Sequence, residues 1–249
     1  MPEISIRAEE LFRIAGWPVT NAVLLSFLAL AVLSALAFFI RGQLRPVPGR
    51  LQSLFELFIE ELLKIMDAVL GSRERSERYL PLVATIFLFI LTANWLGLLP
   101  FGGVGLTAPG RDAGPGTFIP LLRAPASDLN FTLALALISV VSANILGIAA
   151  VGFRRHAGKF FTIKNPIAAF TGLLELVSEF VRIISFSFRL FGNVFAGEVL
   201  LVIIGFLVPY LLPLPFLFLE VFVGFIQAFI FAMLTLVSIS MAASLESAH

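Results

Sequence analysis

The chain has 249 residues, of which 59% are hydrophobic and only 13% charged, with a mean hydropathy of +1.02 and a net charge of +1. Soluble globular domains are about half apolar and a quarter charged, so this composition excludes that class and indicates an integral membrane protein. The nearly neutral charge argues against a nucleic-acid partner. Because cysteine is absent and His156 and His249 lack metal-ligand spacing, we expect no metal site and no cofactor.

Five apolar segments are long enough to cross a bilayer, whose hydrocarbon core requires about 20 helical residues. Charge-free windows predict ordinary spans at about 19–40, 79–101 and 130–153. Two longer segments, at about 166–207 and 214–244, follow with a proline-rich turn between them. The first of these would extend about 60 Å as a helix, so we expect a long, strongly tilted hairpin. The predicted fold is an all-α integral membrane protein with a single membrane domain over residues 1–249.

An amphipathic pattern occupies residues 51–70, between the first and second spans. Its apolar residues recur with the helical period and its charged residues take the other side. The apolar set is Leu51, Leu54, Phe55, Phe58, Leu62, Ile65, Met66 and Val69. This pattern predicts a helix that lies along the membrane surface. A coiled-coil or partner-binding helix is the alternative.

The basic residues of the loops predict the orientation of the chain. They cluster after the first span, before the second and after the third, at Arg41, Arg45, Arg50, Arg73, Arg75, Arg78, Arg154, Arg155, Lys159 and Lys164. The loop at 101–128 instead balances its arginines, Arg111 and Arg123, with Asp112 and Asp128. Five crossings with the N-terminus outside and the C-terminus in the cytoplasm satisfy all these loops.

Arg189 needs a special explanation, because a cation at the centre of a bilayer costs at least about 2.5–3.5 kcal/mol. Helical spacing places it on a stripe of arginines and small side chains that a partner can approach closely. We call this set the small-residue stripe: Ser178, Arg182, Ser185, Arg189, Gly192 and Ala196. Either the stripe is a packing seam with an internally paired arginine, or Arg189 faces an acid on a mobile or external partner. Glu198 lies about 180° around the helix and cannot pair with it.

Carboxylates lie on both sides of this arginine along the last two segments. Folding the hairpin brings Glu198 and Glu220 to a similar depth toward the outer end, whereas Glu175 and Glu179 lie near the inner end. Gln227 shares the face of Glu220. If the carboxylates line two water-accessible notches that do not meet, the guanidinium between them blocks direct proton passage. It also favours the ionised form of an acid brought beside it. The alternative for either outer glutamate alone is a neutral acid in a helix interface.

Other polar residues of the spans have simpler explanations. We expect Asn94 and Asn144 to form interhelical hydrogen bonds. Asn193, four residues after Arg189, is a candidate lining residue for a notch. His156 lies among basic residues and is expected to be a solvated loop histidine.

RLFGNVFAGE, at residues 189–198, resembles the signature of subunit a of rotary F-type ATP synthases. The resemblance extends to IQAFIFAMLTLVSISMAAS in the last span, to SDLNFTLALAL at 127–137 and to ANWLGLLP at 93–100. In layout it covers nearly the whole chain. It implies a non-catalytic, proton-translocating stator subunit that presents two offset half-channels to a rotating ring of c subunits, each with one essential carboxylate.

The resemblance also implies roles for particular residues. Arg189 is similar to the essential arginine that faces the ring. The positions that the family associates with the proton path are Ser185, Asn193, Gly197, Glu198, Glu220 and Gln227. Bacterial relatives often have a histidine at position 220, so this chain implies a path with two carboxylates. Arg182 precedes Ile183, whereas many relatives have an Arg-Pro pair there.

The partners implied by the resemblance are the c-subunit ring, the peripheral-stalk b subunits and the rest of the F1Fo complex, with H+ as the transported ion. Lacking an N-terminal transit segment, the chain favours a bacterial plasma (inner) membrane over an organellar inner membrane. The alternative function is a self-contained secondary ion-coupled transporter, but such proteins usually show repeated halves or broken helices, and the sequence shows neither. A structural scaffold would leave Arg189 and Glu220 unexplained.

Overall fold

The computed structural model describes residues 8–14, 16–42, 44, 46, 48–99, 105–107, 118–153, 156, 158, 166–208 and 211–243. The chain is mostly helical. Its elements are β1 (Glu10–Ile14), β2 (Trp17–Thr20), α1 (Asn21–Gly42), α2 (Arg50–Leu70), α3 (Arg73–Leu98), β3 (Gly105–Thr107), β4 (Phe118–Pro120), a 3-10 turn (Pro125–Ser127), α4 (Leu129–Val151), α5 (Pro166–Leu207) and α6 (Pro213–Ala243).

Five helices, α1, α3, α4, α5 and α6, are long and apolar enough to cross a membrane. They confirm the predicted class and lie close to the five predicted spans, of which the ends at 101 and 244 fall outside the described residues. The largest difference is at α3, which begins at Arg73 rather than at 79. Its first turn is polar but helical, and there Arg73 Nε donates to the Glu77 carboxylate over 3.1 Å. α5 is one continuous helix of 42 residues.

Two short strand pairs were not predicted. β1 and β2 form an antiparallel hairpin in which Ile14 pairs with Trp17, and Gly16 supplies the turn with a φ of +88°. This conformation favours glycine. β3 and β4 also pair antiparallel. Strands of three to five residues carry too little alternation to be recognised in the sequence.

The amphipathic helix α2 confirms the helix predicted at 51–70. Gly71 ends it in the left-handed conformation, with its N–H donating to the Asp67 carbonyl over 2.8 Å. The second half of α2 buries its apolar face through Leu62, Leu63, Met66 and Leu70, whereas Leu51, Leu54 and Leu57 of the first half are exposed. Whether the exposed half lies on lipid or binds a partner stays a prediction.

Residue contacts divide the chain into two compact units, so the single membrane domain also stays a prediction. The first unit contains Met1–Gln43, Phe87–Thr132 and Arg189–Phe229. Within it, α3 is joined to α6 by two hydrogen bonds, from Asn94 Nδ2 to the Gly224 carbonyl (3.3 Å) and from Trp95 Nε1 to the Val221 carbonyl (3.1 Å). The interhelical role predicted for Asn94 is therefore confirmed.

The second unit contains Leu44–Ile86, Leu133–Phe188 and Ile230–His249. Its helices α4 and α6 approach closely at Gly147, where an added Cβ would lie 2.6 Å from the Ala242 Cβ. The same two helices share a buried hydrogen bond between the hydroxyls of Ser139 and Thr235, 2.7 Å apart. Backbone contact and hydroxyl pairing of this kind are typical of helices packed in lipid.

His156, in the second unit, is buried, so the prediction of a solvated loop histidine was wrong. Its Nε2 lies 3.0 Å from Asn144 Oδ1, while Asn144 Nδ2 donates to the Val140 carbonyl of its own helix. Through its contact with His156, Asn144 is joined to the segment after α4. Neither of these two hydrogen bonds joins α4 to another long helix. The charges predicted to set orientation at Arg45, Arg111, Asp112, Arg154, Arg155, Lys159 and Lys164 lie outside the described residues.

Candidate functional site

Polar side chains from α5 and α6 meet in the first unit and, with one arginine from the segment before α4, form what we call the polar cluster. Its members are Arg123, Asn193, Glu198, Glu220 and Gln227. Each of the four helical members was predicted as a proton-path residue. Arg123 was not.

Glu220 is buried against the backbone of α5 at Gly197. A Cβ at position 197 would overlap the carboxyl carbon and both carboxyl oxygens of Glu220. Glycine at this position leaves room for the carboxyl group, which occupies the space of a side chain. This close approach places the predicted residues Gly197 and Glu220 in one site.

Asn193 and Gln227 form the next polar contact between the two helices. Asn193 Nδ2 donates to Gln227 Oε1. The Gln227 side chain is buried, and its Nε2 has no hydrogen-bond partner among the described residues. A buried amide donor without a partner costs about 1–3 kcal/mol. The position therefore favours a water molecule or another acceptor beside this nitrogen.

Arg123 is the residue that sequence reasoning missed, since we expected it to be balanced by acidic residues of its own loop. Its side chain is only 7% exposed and its Nε lies 3.0 Å from Glu198 Oε1, whose side chain is 35% exposed. The Nε also donates to Ser127 Oγ over 3.0 Å. The 3-10 turn beginning at Pro125 brings Ser127 back to the arginine. Pro125, just after Arg123, was the available sequence signal for such a turn.

Helix α3 positions the segment that carries Arg123. A Cβ at Gly97 would lie 2.7 Å from the Ala124 Cβ and 3.0 Å from its Cα. Only a glycine permits this approach of the segment to α3. The arginine is thus fixed by a backbone contact immediately beside it.

Arg189 lies on α5 four residues before Asn193, and its side chain is exposed. Within the described part of the chain, no hydrogen bond or ion pair of its guanidinium is found. Ser185 and Gly192 of the small-residue stripe are exposed as well. The described residues therefore do not support the alternative in which Arg189 is paired internally.

Arg182, the other arginine of the stripe, is held differently. Its Nη1 lies 3.1 Å from Glu179 Oε1, and the two side chains are 15% and 14% exposed. Glu175, one turn earlier on α5, is half-buried. The predicted inner-side residue Glu179 is therefore engaged by an arginine of its own helix.

The fold and the polar cluster define a multi-pass helical membrane protein with proton-accepting groups inside its spans. The family model described as ATP synthase A chain matches residues 23–240. The chain belongs to this family, the a subunits of ATP synthase.

Relatives described as ATP synthase subunit a match this chain over most of their length. The chain is 33% identical to ATP synthase subunit a of Moorella thermoacetica over 237 residues, covering 94% of this chain and 96% of the relative. It is 37% identical to that of Mycobacterium ulcerans over 235 residues, covering 92% and 89%. For the subunit of Campylobacter jejuni the identity is 36% over 203 residues, covering 82% and 81%.

Family membership fixes the general activity. The chain is a non-catalytic, proton-translocating component of the Fo membrane sector, and it functions with the rest of the F1Fo complex. The alternative of a self-contained secondary transporter is not favoured. The polar side chains of α5 and α6 are the candidates for conducting the proton.

Proposed function

We propose that Arg189 is the fixed guanidinium that faces the carboxylates of the c-ring and separates two offset half-channels. The observation that carries this proposal is its exposure on α5 without an internal partner among the described residues. A cation at membrane depth requires a partner or water, because hydrocarbon cannot stabilise it. An acid on a neighbouring subunit meets this requirement, and the exposed small residues Ser185 and Gly192 leave room for a close approach.

The polar cluster forms the half-channel on the side of Glu198. Along α5, Arg189 and Glu198 are separated by about 14 Å of helix rise, with Asn193 between them. Glu220 and Gln227 supply an acid and an amide from α6. The unpartnered Gln227 Nε2 supports the presence of water in this stretch. A proton passing between Glu198 and the ring would then meet hydrogen-bonding groups at each turn of the helix.

Glu175 and Glu179 are the candidates for the other half-channel, ten or more residues before Arg189 on α5. Glu179 Oε1 lies 3.1 Å from Arg182 Nη1, so this part of α5 holds a carboxylate and a guanidinium together. Because Arg182 is engaged there, the exposed Arg189 is left as the arginine available to the ring.

We place the subunit in a bacterial plasma membrane with its N-terminus outside and its C-terminus in the cytoplasm. The basic residues before α2 and at the start of α3 support this orientation. The direct partners in the proposal are the c-ring at the small-residue stripe and the b subunits of the peripheral stalk.

Replacing the arginine tests the central role. Arg189→Ala is expected to abolish ATP-driven proton pumping in inverted vesicles while ATP hydrolysis by the F1 head continues uncoupled. Arg75→Ala removes an exposed arginine from the first turn of α3 and should leave pumping unchanged. Pumping by Arg189→Ala at the Arg75→Ala rate would eliminate the proposal.

Cross-linking tests which face of α5 meets the ring. The chain has no cysteine, so each introduced thiol is its only one. Ser185→Cys places a thiol on the exposed stripe, whereas Ser187→Cys, two residues later, places it in a buried position. We expect disulfide formation with a cysteine on the c-subunit helix for position 185 but not for 187. The reverse pattern would contradict the proposed face.

A further inference from the structure

Glu9, near the N-terminus, is a second acidic residue within electrostatic range of Arg123. Burial raises the pKa of Glu9, the Arg123 guanidinium partly lowers it, and the Glu198 carboxylate raises it again. The Glu9 carboxyl is thus within electrostatic range of both Arg123 and Glu198, although the three groups come from distant parts of the sequence. Glu9 Oε2 is buried and has no hydrogen-bond partner among the described residues.

The backbone holds Glu9 in this place. Its N–H donates to Asn21 Oδ1 over 3.3 Å, and its carbonyl accepts from the Asn21 N–H over 3.1 Å. Asn21 is fully buried at the start of α1, and the β1–β2 hairpin closes the chain between the two residues. α1 in turn packs against the 3-10 turn that follows Arg123. Glu9 is therefore fixed relative to the arginine by the N-terminal fold.

We propose that Glu9 is a further residue of the proton path, sharing Arg123 with Glu198 in a carboxylate–guanidinium–carboxylate relay at the mouth of the half-channel. This inference rests on the proposed function of the polar cluster. One guanidinium carries a single positive charge, so it can neutralise one carboxylate at a time. The triad therefore has a net charge of −1 when empty and becomes neutral when it holds one proton.

The proton transfer in this relay conserves charge. With the proton on Glu9, Arg123 is paired with Glu198, which is the arrangement of the ion pair at 3.0 Å. The proton then leaves the Glu9 oxygen through hydrogen-bonded water and bonds to a Glu198 oxygen, while the guanidinium shifts its hydrogen bonds to the ionised Glu9. Arg123 is a positioning residue here, since it binds no proton of its own. The charged groups around Glu9 are Arg123 and Glu198, and the α1 side contributes the neutral Asn21.

Glu9→Gln tests the relay, because glutamine has the same shape but cannot carry a proton. We expect ATP synthesis driven by an imposed proton gradient to fall about tenfold. This is less than the hundredfold of a well-placed general acid–base group, because water can reach the partly exposed Glu198 directly. The deficit should shrink as the entry side is made more acidic, because a proton-collecting group then becomes dispensable. Glu10→Gln is the matched control, since Glu10 forms an exposed pair with Arg13, and it should behave as wild type at every pH.

Wild-type rates for Glu9→Gln, or a deficit that is equal at every entry-side pH, would overturn the relay. If Glu9→Gln does not co-purify with the rest of the complex, Glu9→Asp is measured instead. Because it keeps the carboxylate, its expected loss is about threefold. Wild-type rates, or a deficit that is equal at every entry-side pH, would again overturn the relay. Arg189→Ala is measured in parallel. If it abolishes pumping while Glu9→Gln is normal, the relay fails and the proposed role of Arg189 stands.

Discussion

Gly197→Ala measures how strictly proton transfer depends on the position of the Glu220 carboxyl. The added Cβ would overlap that carboxyl, so the side chain must rotate away, at a cost of about 0.5–1.5 kcal/mol for leaving its rotamer. Alanine in a helix interior is better than glycine by about 0.5–1 kcal/mol. The folded chain should therefore lose at most about 1 kcal/mol. Proton pumping should fall by about 100-fold, because a displacement of about 1 Å misaligns the transferring groups.

The assay is ATP-driven quenching of a pH-sensitive dye in inverted vesicles, normalised to assembled complex. Gly205→Ala is the matched control on the same helix, where an added Cβ has nothing within 4 Å, and it should pump as wild type. Adding Glu220→Asp to Gly197→Ala withdraws the carboxyl by one bond, about 1.5 Å, and should restore much of the activity. Equal pumping by Gly197→Ala and Gly205→Ala would refute the reasoning.

Two further predictions concern the packing of α4 against α6 in the second unit. Gly147→Ala would place a Cβ 2.6 Å from the Ala242 Cβ and 3.1 Å from its carbonyl oxygen, where backbone must move. The free energy of unfolding should fall by about 1–2 kcal/mol after the helical gain of alanine, and an unchanged unfolding midpoint in detergent would contradict this. For the Ser139 and Thr235 hydroxyls, a double-mutant cycle with Ser139→Ala and Thr235→Val should give a coupling of about 0.5–1 kcal/mol, whereas additive effects would show that the bond contributes nothing.

The helices could be predicted because each span is a long, predominantly apolar segment, a signal that is contained in a continuous stretch of sequence. The beginning of α3 could not, since hydropathy does not register a polar helical turn such as Arg73–Glu77. The hairpin and the helical period predicted a similar depth for Glu198 and Glu220 and a shared face for Glu220 and Gln227. The structure adds the contacts Gly197–Glu220 and Asn193–Gln227. The turn between α5 and α6 and the helical period thus limit which faces of the two helices can meet.

Contacts between distant segments could not be predicted in the same way. Arg123 has an ordinary loop sequence around it, and its burial depends on the approach of Ala124 to Gly97. His156 is buried, with its Nε2 3.0 Å from Asn144 Oδ1 of α4. Both residues looked like solvated loop residues because hydropathy reports the neighbours along the chain, not the neighbours in space.

The two hydrogen bonds from α3 side chains to α6 carbonyls have a mechanical consequence. In the proposed arrangement a turning ring would load the subunit tangentially, and its helices would have to resist sliding. Asn94 and Trp95 fasten α3 to α6 at Gly224 and Val221, about one and two helical turns before Gln227. Because hydrogen bonds are directional and apolar contact is not, these two bonds oppose the sliding of α3 along α6. In the proposed half-channel, these links would hold the lining near Gln227 against torque.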